Sequence, residues 1–335
     1  MAYSINAKDH FNCSLYTGNG GTQSITSVGF QPDWVWTKKR NGTCDPHIFD
    51  VIRGATYKLQ PSDAGANNAD ANSLTAFTSN GFNVGTNSCQ NSNNDTYVSW
   101  NLKAGGTASS NSDGSTTSTV SANTTAGFSI VKYTNPGSGS PFTVGHGLGA
   151  APQYIITKNL SASQTWGVWN AGLSFGKYLR LDTNNAEASA NLVTATSATT
   201  FSTYYDHHSA GNEIIAYCFA PKAGFSAAGK YYGNSNANGQ FVYTGFKPGL
   251  VIVKDRDSNQ WQQFDSKRGR NGAMGFLYPD STEQETATVP MDILSNGFKF
   301  RDTSGARNAS GEQFTYLAVA EAALVGTNNV PANAR

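Results

Sequence analysis

Two phrases in the chain carry the residue types that chemistry most often uses. HIFDVIRG (47–54) and WQQFDSKRG (261–269) each set an aspartate after a phenylalanine and an arginine three residues further on. Asp50 with Arg53, or Asp265 with Arg268, beside exposed aromatics would grip a sugar or a partner carboxylate. The same pair would equally pin a turn. The corresponding middle phrase has Asn170 and no arginine, and a feature that one copy of three dispenses with reads as structural. Glycoside hydrolysis needs two carboxylates at a fixed separation. Asp50, Asp63 and Asp70 are available early, and Asp255, Asp257, Asp265 and Asp280 late. No spacing selects a pair among them, so the expectation is a protein that is not an enzyme, with no catalytic residues.

Metal and phosphate chemistry fare no better. His207 and His208, next to Asp206, would point to opposite faces of a strand and share an ion only from a loop. A polar hairpin tip is the simpler reading. NSNNDT (91–96) is an oxygen-rich loop and a weak candidate for a structural Ca2+, without the spacing of a known calcium loop. His146 in VGHGLG has no nearby base partner. GNGG (18–21) lacks the Lys-Ser/Thr and the helix of a phosphate loop. No cofactor is expected. The residues left for surface recognition are Trp166, Trp169, Tyr204, Tyr205, His207, His208, Arg268 and Arg270, with Tyr231 and Tyr232 as further aromatic candidates at loop edges. Trp34 and Trp36 share one face of a strand and read as core.

The elements that would position these residues are written three times. GFQPDWVWTK (29–38), LGAAPQYIITK (148–158) and GFKPGLVIVK (245–254) each place a proline ahead of an apolar run. A tyrosine and a Gly/Asn/Ser-rich turn precede each phrase, at Tyr16, Tyr133 and Tyr232. Phe49-Asp50, Trp169-Asn170 and Phe264-Asp265 follow, then Leu59-x-Pro61, Leu179-x-Leu181 and Leu277-x-Pro279. SNGF recurs at 79–82 and 295–298. Each copy closes on a β-type run: TYVSWNLK, EIIAYCFAPK and QFTYLAVAEA. Internal repetition of this kind divides the chain into 8–106, 126–226 and 227–326. Residues 107–125, rich in Ser, Thr and Gly, read as a linker, and 327–335 as a tail. Short β-branched or aromatic runs bounded by Gly and Pro are strands, and the unbroken ones are buried on both faces. The fold expected is all-β, with three tandem β-sandwich units of jelly-roll or lectin-like type.

Composition agrees. Charged residues are 13% of the chain, about half the usual ~25%, and turn-forming Asn, Ser, Thr and Gly replace them. Aromatics at 12% argue against disorder. A net charge of +1 provides no field for nucleic acid or anionic lipid. No apolar run nears the ~20 residues that span a bilayer, and the N-terminal residues hold no secretory signal. Cys13, Cys44, Cys89 and Cys218 form no CxxC pair. A Cys13–Cys44 or Cys44–Cys89 bridge is open, with free thiols expected and Cys218 acting as a buried hydrophobe.

AGGTASSNSDGSTTSTVSANTTAGFSIVKYT, TVGHGLGAAPQYIITKN, NEIIAYCFAPKAGFS and the paired GF-[QK]-P phrases resemble repeats of tail-fibre and other virion proteins of marine and cyanobacterial tailed bacteriophages. The resemblance covers about residues 9–326. It implies concanavalin-like or jelly-roll modules at a virion surface, partnered by other virion proteins and by a host glycan or receptor. The leading expectation is a tail-fibre or tail-appendage module for host attachment. A capsid or tail decoration protein, and a carbohydrate-binding or depolymerising protein, are the alternatives. Virion symmetry implies a homo-oligomer, a trimer first, although three units in one chain would also form a threefold body alone. No heptad or collagen-like shaft is present.

Overall fold

In the computed structural model the three proline phrases become the central strands of three sheets, at Trp34–Lys39, Tyr154–Asn159 and Phe246–Asp255. All three are buried on both faces, as their unbroken apolar runs require. Pro32 and Pro152 stand just ahead of their strands. Pro248 lies inside its strand instead, at a register shift that tolerates a residue without a ladder donor. The structure describes residues 5–323, apart from 138, 205–208 and 270–274.

One strand order occurs three times. In unit one the strands are Phe11–Thr17, Gln23–Ile25, Trp34–Lys39, His47–Asp50, Leu74–Thr78, Gly81–Val84 and Thr96–Leu102. The first pairs with the seventh, the seventh with the third and the third with the fourth. The second, sixth and fifth form the facing sheet. Unit two repeats this order from Phe128–Thr134 to Glu213–Phe219, and unit three from Ser226–Tyr232 to Gln313–Ala323. The protein is all-β. Its two α-helices among the described residues are single turns, Ser88–Asn91 and Gly305–Asn308, capped by Asn87 and Ser304.

Registers make the equivalences explicit. Trp34 opposes Leu102, Tyr154 opposes Phe219, and Leu250 opposes Val319. On the first strand the same registers align Tyr16 with Tyr133 and Tyr231. Tyr231, not Tyr232, is therefore the third repeat tyrosine. Adjacent strand residues face opposite ways, so Tyr231 is buried and Tyr232 is 48% exposed. SNGF is explained as well. A Cβ on Gly81 or Gly297 would strike the carbonyl oxygen of Ile25 or Val242 on the second strand.

The units are not separate beads. Val35 faces the interior of unit one's own sandwich, whereas Trp34 and Trp36 face a larger core. Ile155 against Tyr154 and Ile156 repeats this split in unit two. The larger core also holds Trp100, Phe128, Tyr217, Leu250 and Leu317, and so runs through all three units. Full burial of a large apolar side chain contributes ~1.5–3 kcal/mol, so this shared core dominates the contacts between units.

Two expectations are corrected. Residues 107–125 are not a linker: Ser109–Asn111 and Ser118–Asn123 add two strands to unit two's sheet. Val120 points inward, and the Ser118 and Ser121 hydroxyls donate to the carbonyls of Gly145 and Gly106, so a polar run pairs without orphaned groups. Free thiols hold only for the buried Cys13 and Cys218; Cys44 and Cys89 form a disulfide with Cα atoms 5.4 Å apart. Cys218 is the small buried group expected.

Candidate functional site

Asp50 and Asp265 end equivalent strands, and both are fully buried. Asp50 Oδ1 accepts the backbone N–H groups of Ile52 and Arg53, and its Oδ2 lies 2.6 Å from Arg53 Nε. Asp265 repeats this with Lys267, Arg268 and a 2.5 Å ion pair. Burial alone would lower the Arg53 pKa, but the Asp50 carboxylate and the Tyr217 hydroxyl together more than offset it and the net shift is upward. These pairs also join units. Tyr217 Oη of unit two donates to Asp50 Oδ2 at 2.8 Å, and Trp100 Nε1 of unit one donates to Asp265 Oδ2 at 3.0 Å. Tyr217 and Trp100 are equivalent positions. The third such position is Leu317, which has no donor. There Asn170 Nδ2 donates to the Tyr316 carbonyl at 3.0 Å. The missing Asp-Arg pair is thus matched to its partner. Leu173, buried in the central core, stands where Arg53 and Arg268 stand.

Contacts at the other end of the strands run in the same rotational sense. The carbonyls of Arg40, Leu160 and Arg256 accept the N–H groups of Glu285, Asn67 and Glu187 of the neighbouring unit at 2.8, 3.2 and 2.8 Å. Unit two therefore grips unit one, unit three grips unit two, and unit one grips unit three. The ring is closed.

The lysine that ends each proline phrase is buried: Lys38, Lys158 and Lys254. Burial lowers Lys38 and Lys158 to about 8, and Lys254 is lowered too. A depressed lysine is a signature of a nucleophile. Here each ammonium is occupied by carbonyls of the following loop: Cys44 O, Gln164 O, and Asp255 O with Asp257 O. These lysines hold loops in place.

The recognition candidates mostly prove internal. Trp166 is fully buried, and its Nε1 donates to the carbonyls of Gln60 and Asp63 in unit one. Trp169 is buried beneath the exposed Phe175, stacked at 5.1 Å. Arg268 is in the buried pair above. These three are not surface residues, because each is consumed by packing. Tyr204 is half-buried, and its hydroxyl donates to Gly139 O. Tyr205, His207, His208 and Arg270 lie outside the described residues. His146 is buried, with Nδ1 accepting from Leu148 N–H, and burial lowers its pKa. In NSNNDT, Asn91 is buried and Asp95 pairs with Lys39. Among the described residues no group of three or more His, Cys, Asp or Glu side chains comes together to hold a metal ion, and no helix is long and apolar enough to cross a membrane.

What sequence reasoning missed is an aromatic pair on unit three. Phe241 and Tyr243 are 40% and 61% exposed, with ring centroids 6.5 Å apart, on the short strand Phe241–Tyr243. Val242 between them is buried, so both rings share the outer face. The register places Lys299 beside Phe241 and Asp292 beyond it, and Arg301 pairs with Asp292 at 2.5 Å. Gly297 opposes Tyr243, and Phe241's ring edge lies where a Cβ on that glycine would stand. The equivalent residues are Ser24 and Thr26 in unit one, and Thr143 and Gly145 in unit two. Only unit three carries rings there. The signal in the sequence was the FVY alternation ahead of GFKPG, with Thr244 between them. A second, polar cleft is lined by Tyr232, Arg256, Asp257, Glu312 and Gln313, with Arg256 held by both carboxylate oxygens of Glu187 at 2.8 Å.

Comparison with characterised proteins and with solved structures gives no match. One family model spans the three units together, over residues 6–323, and by that match the chain belongs to the family described as a domain of unknown function, DUF7483.

Proposed function

We propose that this protein is a non-enzymatic structural component of a tailed-bacteriophage particle that contacts the host surface through the outer face of its third unit. The virion assignment rests on the sequence resemblance. The contact surface rests on one observation: of three equivalent outer strands, one carries two exposed rings, Phe241 and Tyr243, where the others carry Ser, Thr or Gly. Exposed apolar patches framed by polar groups mark binding sites. Ring faces give a sugar an apolar platform, while Lys299, Asp292 and Arg301 offer donors and acceptors to its hydroxyls. The ligand class is a surface polysaccharide. The closed ring of units favours a body that is threefold within one chain, so a mass near 35.5 kDa is expected in solution. Mass photometry at three times that value would restore the trimer.

Purified protein on an array of bacterial surface polysaccharides tests the contact. Binding that the double variant Phe241→Ser, Tyr243→Thr abolishes is expected. No binding by the parent protein at saturation, or equal binding by the variant, overturns it. Release of reducing ends during incubation would instead favour a depolymerase. Recovery of the protein with tailless heads would favour capsid decoration.

A further inference from the structure

The three joints of the ring are built differently. Where unit two meets unit one, the indole of Trp166 reaches the carbonyls of Gln60 and Asp63. Where unit three meets unit two, the equivalent Trp261 donates to Arg180 O at 2.7 Å. In both units an aspartate accepts the tryptophan's backbone N–H, Asp182 for Trp166 and Asp280 for Trp261. Unit one has Pro46 at this position, with neither an indole nor a backbone N–H, and Ser62 in place of the aspartate. Ser62 Oγ donates to Asp45 Oδ1 instead, at 2.7 Å.

This peg-less joint is also the one that no adjoining stretch of chain spans, because units one and three are the first and last. At one end of the strands it holds the Trp100–Asp265 hydrogen bond described above, and at the other end it is made by the loop that follows Trp34–Lys39. Arg40 O accepts Glu285 N–H at 2.8 Å, Arg40 Nε pairs with Glu285 Oε2 at 2.6 Å, and Cys44 N–H donates to Thr282 O at 2.9 Å. The same loop is tied back to its own unit by the Cys44–Cys89 bridge, whose second sulfur sits on the helical turn Ser88–Asn91. Neither cysteine is fully buried; both are half-buried.

We propose that the Cys44–Cys89 disulfide is the latch of the closing joint, and that its reduction loosens the contact between units one and three while the two tryptophan-pegged joints stay closed. The reductant is an external dithiol. Its thiolate attacks one sulfur and forms a mixed disulfide, and its second thiol displaces that sulfur. Cys44 and Cys89 gain two electrons and two protons, and the dithiol leaves as a cyclic disulfide. The consequence is a ring that locks in oxidising surroundings and is looser in reducing ones. This holds whether or not the protein binds a polysaccharide.

Hydrogen exchange of the folded, full-length protein before and after dithiothreitol treatment tests the latch. The amides to follow are those of Cys44 and Glu285 at the closing joint, Gln164 and Asn67 at the unit two–unit one joint, and Glu187 at the unit three–unit two joint. All five donate across a joint. Exchange at least tenfold faster at Cys44 and Glu285, with the other three unchanged, is the expected result. The Cys44→Ser, Cys89→Ser double variant should reproduce it without reductant. Unchanged exchange at all five overturns the latch. So does uniform acceleration, which would make the bridge a support of the whole fold, and so does finding four free thiols by mass in the protein prepared in air.

Discussion

Asp265 and Asn170 occupy the same place in two units and do opposite jobs. Asp265 accepts from an indole N–H of the next unit, whereas Asn170 donates to a backbone carbonyl. The choice follows the partner. Trp100 and Tyr217 bring donors to the joint and need a carboxylate. Leu317 brings none, and a carboxylate facing the Tyr316 carbonyl would be a buried charge beside an acceptor. Without the carboxylate an arginine would lose its adjacent counter-ion, and Leu173 stands in its place. Comparing units within one chain thus separates what the fold demands, a polar side chain at the strand's end, from what the neighbour demands, its hydrogen-bonding sense.

The sharpest way to break this comparison is Asp265→Ala. It removes the 2.5 Å ion pair and leaves the buried Arg268 guanidinium only a 3.3 Å contact with Glu285 Oε1, and loss of one partner of a buried pair costs about 3–5 kcal/mol. Urea unfolding should show that loss. Asn170→Ala, with no ion to strand, should cost less, on the order of 1–3 kcal/mol, and equal losses would end the distinction. Trp166→Phe keeps most of the packing and deletes the indole donor, so about 1–2 kcal/mol is expected from the two carbonyls left without it.

A further contrast is read in pH. Asp280 is raised to about 7, chiefly because burial penalises its charge, and its Oδ1 is buried without a hydrogen-bond partner. Its folded pKa lies above the unfolded value, so between about pH 4 and about pH 7 the native state binds more protons than the unfolded chain. Stability from this group is present at the acid end of that window and is lost as pH rises through it. Asp280→Asn should flatten that fall in a urea titration series. Smallest of all, Phe241→Ser with Tyr243→Thr should move stability by no more than about 0.5 kcal/mol, since exposed residues without structural partners rarely matter more. A larger loss would make the aromatic pair part of the scaffold.

The repeats and their strands were legible because both rest on local signals. Proline ahead of an apolar run, glycine where strands approach, and a lysine ending each phrase recur at near-constant spacing. The exposed pair at Phe241 and Tyr243 was legible in principle from its alternation, but reading it needed unit three aligned in register. Anchoring on Tyr232 in place of Tyr231 slips that register by one residue, which exchanges the buried and exposed faces. Trp166, Trp169 and Arg268 were misplaced at the surface for a related reason. Residue type marks a side chain as able to bind, and here the binding is to another part of the same chain.

By itself, then, the sequence determined the β strands, the threefold repetition and the burial of the central strands, since backbone propensity and apolar periodicity act over a few residues. Only the tertiary structure decided that the units share one core and close a ring, that 107–125 joins a sheet, and that Cys44 bonds to Cys89. Those outcomes depend on residues far apart in the chain, such as Arg40 and Glu285, 245 positions apart. Which donor meets which acceptor at such a distance is set by the packing of whole sheets.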